Sequence, residues 1–132
     1  MKVLFPGKWQ WLPAILVMLL IFAFSSLPGK ELPNLGILDL FAKKAAHVLI
    51  YAVLAVAFWY ALGWRSEKRN LAWLITLLYA ISDEFHQSFV PGRHPWWLDV
   101  LFFDALGAFL GLWLAGKIPG LGGKNKPMDP MT

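Results

Sequence analysis

Apolar residues come in four long blocks, and only short polar or Pro/Gly segments separate them. The first covers residues 11–27 and the second about 44–63. The third starts at Leu71 and ends in a polar stretch, and the fourth covers about 98–115. With a rise of roughly 1.5 Å per residue, helices of this length suit a hydrocarbon core about 30 Å thick. The pattern predicts an all-α protein, a four-helix transmembrane bundle with helices over about 9–27, 43–63, 70–90 and 98–116. Residues 1–118 would form a single transmembrane domain. Residues 119–132 have too little to bury and read as a flexible tail. Between the first two blocks lies a Pro/Gly-rich connector whose end (Leu35, Ile37, Leu38, Leu40, Phe41) is apolar enough to form a short interfacial segment before the second helix. Trp59, Tyr60 and Trp64 close the second block, and Trp96 and Trp97 open the fourth, as aromatic belts do.

Composition agrees. The 132 residues are 58 % hydrophobic and 15 % charged, too little polar surface for a soluble domain of this size. Cysteine is absent, which removes disulfides, thiolate metal sites and thiol nucleophiles. Ala23-Phe24-Ser25 loosely fits a signal-cleavage site, but three further hydrophobic blocks favour a retained first helix. The charge of +4 is scattered over loops and ends, with no basic stripe for nucleic acid. Its use is orientation. Lys2, Lys8, Arg65, Lys68, Arg69, Lys117, Lys124 and Lys126 fall on one side of four spans, and Lys30, Lys43, Lys44 and Arg93 on the other. Positive-inside puts both termini in the cytoplasm, and the chain is expected to be a multi-pass membrane protein.

The polar stretch is Ser82-Asp-Glu-Phe-His-Gln-Ser-Phe-Val-Pro-Gly-Arg93. Ionisable residues next to an apolar run are expensive in a bilayer and point to a site. Depth counted from the cytoplasmic charges places Asp83, Tyr51 and Asp104 about 20 Å up, and His47 and Ser25 about 25 Å up. Four segments thus bring polar atoms to one layer in the outer third of the membrane. Helical spacing puts Lys44, His47, Tyr51 and Phe58 on one face, and Tyr79, Asp83, His86 and Gln87 on another, with Glu84 turned about 100° from Asp83. Asp104, Gly107, Ala108, Gly111 and Ala115 form a small-residue stripe suited to close helix contact. Pro91-Gly92 suits a type II turn.

Lys44-x-x-His47-x-x-x-Tyr51, the run from Leu78 through Ser82–Arg93, and a last helix with Asp99, Asp104 and Gly107 together resemble the VanZ-like membrane proteins. Phe24-Ser-Ser-Leu-Pro-Gly29 is similar to the end of that family's first helix. The resemblance covers residues 24–112 and implies a small bacterial membrane protein linked to teicoplanin, other lipoglycopeptides or the cell envelope; it implies no settled catalytic activity. Asp99 and Asp104 depart from the pattern, standing five apart where four is expected. Five steps leave them about 140° apart on an ideal helix, so either Asp99 lies outside the helix or a π-bulge intervenes.

Three functions compete. The leading one is an outward-facing pocket for an amphiphile, a lipoglycopeptide or a lipid-linked envelope precursor, its head held by Lys44, His86 and Arg93 with Tyr51, Gln87, Asp99 and Asp104 around it. The second is an enzyme acting on such a lipid, with His47 and Asp83 or Glu84 in acid–base roles. The third is a charged cluster that only fixes helix packing. Simpler roles stand beside each: helix capping for Asp99, packing for Tyr51 and Tyr79, headgroup contact for Arg93. Ser25 or Ser26 as a nucleophile near His47 is a minor alternative. Histidines and carboxylates from three helices invite a metal, but no motif sets two ligands on one helix, so neither metal nor cofactor is expected. Membrane lipids are the expected partners.

Overall fold

A computed structural model describes residues 7–29 and 35–122. These residues form helices and no strands. After a 3₁₀ turn at Gly7–Trp11, α1 is Leu12–Ser25, α2 is Ile37–Ala61 and α3 is Arg69–Gln87, led in by a turn at Ser66–Lys68. The last helix, α4, spans Trp97–Gly116 and contains a π-helical segment, Val100–Asp104. The long helix α2 sits at the centre, packed most extensively on α4 and also on α3 and α1.

The chain punctuates these elements as its residues allow. Gly36, at φ 70°, precedes α2, and Gly63, at φ 79°, follows it. Val90–Arg93 makes the expected turn: Arg93 N–H donates to Val90 O at 3.2 Å with Gly92 at φ 75°. Close contact of α2 and α4 follows from the small-residue stripe. A Cβ on Gly107 would stand 2.3 Å from the carbonyl oxygen of Val48, and one on Gly111 would stand 2.6 Å from that of Ala52. The two backbones touch there, which only glycine permits.

Burial is inverted relative to a water-soluble protein. Ser25, Thr76, Asp83, Glu84, Gln87 and Asp104 are buried, while leucines and phenylalanines on every helix are exposed. Three helical runs, Gly7–Ser25, Ile37–Ala61 and Trp97–Gly116, are long and apolar enough to cross a membrane. This is an integral membrane protein.

Three expectations change in detail. The helix α3 has the length of a span, yet it is not among the three apolar runs. Its polar residues face inward, and Leu71, Leu74, Leu78 and Phe85 make its outer face. The expected interfacial segment is not separate either: Ile37–Phe41 is the exposed start of α2. At the other end of α2, Trp59 and Tyr60 are buried instead of lying in an exposed belt. Trp59 Nε1 donates to Arg65 O at 2.9 Å and packs edge-on against Trp64.

Candidate functional site

All four helices contribute polar atoms to one region. On α2, Lys44, His47 and Tyr51 climb one face at spacings of three and four. Lys44 Nζ forms an ion pair with Asp99 of α4. One turn further on, His47 Nδ1 lies 2.9 Å from Asp104 Oδ1. Tyr51 OH donates to Asp83 Oδ2 at 3.2 Å, and Gln87 Nε2 donates to the same oxygen at 2.9 Å. Gln87 also reaches Ser25 Oγ of α1 at 3.4 Å. Two hydrogen-bonded limbs therefore meet on α2, one running to α4 and the other through α3 to α1.

The first limb depends on the π-helical segment. Ala105 N–H bonds to Val100 O, an i→i+5 link that stacks residues five apart. Asp99 and Asp104 so come to one face, opposite Lys44 and His47. Of the two explanations for their spacing, the π-bulge is the one found. Asp99 makes no capping hydrogen bond; its partner is Lys44.

Other partnerships differ from those expected. His47 hydrogen-bonds to Asp104 and not to Asp83 or Glu84, because Asp83 is taken by Tyr51 and Gln87 on the α1 side. His86 stands apart from the head-holding group. Its Nε2 is 3.0 Å from Ser26 Oγ and its ring stacks on Phe22 at 4.6 Å. Ser26, in turn, donates to Phe22 O at 2.7 Å, and the histidine hydrogen-bonded to it is His86, not His47.

Arg93 closes the end of α1. Its Nε donates to Leu27 O at 2.9 Å and its Nη2 to Phe24 O at 2.5 Å. The neighbouring backbone joins in, with Gly29 N–H donating to Pro91 O at 3.0 Å. Partial burial lowers the guanidinium pKa from its usual value, and the nearby charges of Asp83 and Glu84 act against that fall.

These side chains border two adjoining spaces. A polar cavity of about 220 Å³ is lined by Lys44, His47, Glu84, Gln87, Arg93 and Asp99, among others. An apolar groove of about 540 Å³ runs beside it along α1 and α2, over Leu20, Phe24, Leu49, Ile50 and Val53. His47, Gln87, Arg93 and Lys43 border both. Asp104 lines neither: it lies behind His47, 1 % exposed. Lys43 and His94 also line the polar cavity, and sequence reasoning did not single them out as site residues. Lys43 offered a signal, being next to Lys44, while His94 sits past the turn where helical periodicity has no force. Among the described residues, no group of three or more histidines and carboxylates is arranged to hold a metal ion.

No curated protein and no solved structure matches the chain. A family model described as VanZ/LLP1 matches residues 10–118, a stretch that takes in all four helices and both limbs of the polar network. By that match, over most of its length, the chain belongs to the VanZ/LLP1 family.

Proposed function

We propose that this protein recognises an amphiphile from the outer leaflet of the bacterial cytoplasmic membrane, the polar head in the cavity and the lipid chain in the groove. One observation carries the reading: a polar cavity and an apolar groove lie side by side and share His47, Gln87 and Arg93. A soluble metabolite has no need of the groove. Candidate ligands are a lipoglycopeptide such as teicoplanin, whose acyl chain would occupy the groove, or a lipid-linked envelope intermediate. Binding or sequestration of either supports antibiotic resistance or envelope homeostasis. The positive-inside count favours an outward-facing cavity.

A second reading rests on the His47–Asp104 pair. A carboxylate on Nδ1 orients an imidazole whose other nitrogen is available for proton transfer, an arrangement suited to acid–base chemistry on a lipid head. The acid–base partner is then Asp104 in place of Asp83.

The test fills the groove. Val53, 52 % exposed and lining the groove, tolerates a larger side chain without disturbing the core. Val53→Trp is expected to weaken binding of acylated teicoplanin or of a labelled envelope lipid to the detergent-purified protein by about tenfold, about 1.4 kcal/mol. Unchanged binding sinks the amphiphile proposal. Conversion of the labelled lipid, rather than its retention, moves the reading to the enzyme.

A further inference from the structure

The charges around the polar cavity do not all pair. Lys43 is bound to Asp39 at 2.5 Å, Lys44 to Asp99, and His47 to Asp104. Besides His94, two lining groups are left over. Glu84 is 2 % exposed, and its Oε2 is buried with no hydrogen-bond partner, the one carboxylate oxygen of that kind among the described residues. Arg93 spends its hydrogen bonds on the neutral carbonyls of Phe24 and Leu27, and no described carboxylate pairs with it. The cavity therefore offers a carboxyl group and a guanidinium, neither of them in an ion pair, with Arg93 in the field of Asp83 and Glu84 but hydrogen-bonded to neither.

A buried carboxylate without a donor is costly, and low polarity makes its attraction to a fitting donor strong. A purely anionic head answers Arg93 but sets a second negative charge near Glu84. A purely cationic head does the reverse. A quaternary ammonium has no N–H to give. A head with an anionic group and a primary ammonium satisfies both side chains at once.

Building on the amphiphile reading, we propose that the ligand's head is zwitterionic, with a phosphate or carboxylate on Arg93 and a primary ammonium hydrogen-bonded to Glu84. Glu84 is then the residue that selects the head, and the network of Tyr51, Asp83 and Gln87 holds the helix that carries it.

Native mass spectrometry of the purified full chain with phosphatidylethanolamine, phosphatidylglycerol and phosphatidylcholine of matched acyl chains tests this. The ethanolamine lipid is expected to bind about tenfold more tightly than either of the others, the scale of one charge-assisted hydrogen bond. Glu84→Gln is expected to remove that preference. Equal or stronger binding of the glycerol or choline lipid to the unaltered protein overturns the zwitterion proposal while leaving the amphiphile reading in place. An ethanolamine preference that survives Glu84→Gln also overturns it. Failure of all three lipids to bind also overturns the zwitterion proposal, and the amphiphile reading then rests on the Val53→Trp test. If Glu84→Gln does not fold, the ranking of heads by the unaltered protein decides.

Discussion

Asp104 has the most to lose by substitution. It is 1 % exposed and its hydrogen-bond partner is His47, whose side chain is 30 % exposed. Removing one member of a buried pair leaves the other without compensation, at a cost of about 3–5 kcal/mol. Because His47 keeps some exposure, Asp104→Ala is expected near the lower end, about 3 kcal/mol, by equilibrium unfolding in mixed micelles. The double variant His47→Gln with Asp104→Asn should cost less than the sum of its single variants, with a coupling of about 1–3 kcal/mol. Strict additivity would mean the pair does not stabilise the bundle. Glu84 is the contrast. No hydrogen bond is lost when it changes, so Glu84→Gln is expected to fold with near-normal stability while altering what the cavity holds.

At the scale of the element, the π-helical segment of α4 explains what residue spacing alone left open. In a regular helix Asp99 and Asp104 diverge by about 140°, and only one of them can face α2. One extra residue, absorbed as an i→i+5 turn, brings both around. Deleting exposed Phe102 turns the pair into an i, i+4 couple about 40° apart, which keeps both carboxylates towards Lys44 and His47. Phe102 deletion is therefore expected to yield folded, helical protein in size-exclusion chromatography and circular dichroism. Deleting Ala108, fully buried in the regular part of α4, rotates Gly111 away from Ala52 and should abolish the folded peak. If Phe102 deletion is the more damaging of the two, the bulge does more than correct a spacing. That polar groups on separate helices meet was legible from the sequence because charge is so costly in hydrocarbon. Ser25, His47, Tyr51, Asp83 and Asp104 do converge. Partnerships were not legible, because periodicity assigns a residue to a face of its own helix but says nothing of how that helix is turned against its neighbours. His86 shows the limit: three residues on from Asp83 it lies about 60° around the helix, enough to reach Ser26 and Phe22 of α1 instead of the cavity.

For the whole molecule, the open quantity with the widest consequence is orientation, since it decides whether the cavity meets the outer leaflet or the inner one. On the four-span reading of the sequence, eight lysines and arginines are assigned to the side of the α2–α3 loop and both termini, and four to the side of the cavity. The bias is carried in short segments near the helix ends, where the positive-inside effect acts. Three of the four cavity-side cations, Lys43, Lys44 and Arg93, are also tied into local contacts, with Asp39, Asp99 and the end of α1. They therefore oppose the bias less than free charges would. Because the chain has no cysteine, single replacements report on sidedness without background. His94→Cys, in the loop beside the cavity, is expected to react with a membrane-impermeant maleimide in intact cells. Ser66→Cys, in the α2–α3 loop, should react only after permeabilisation. The opposite result would turn the cavity towards the cytoplasm, and an antibiotic arriving from outside would then meet the wrong face of the protein.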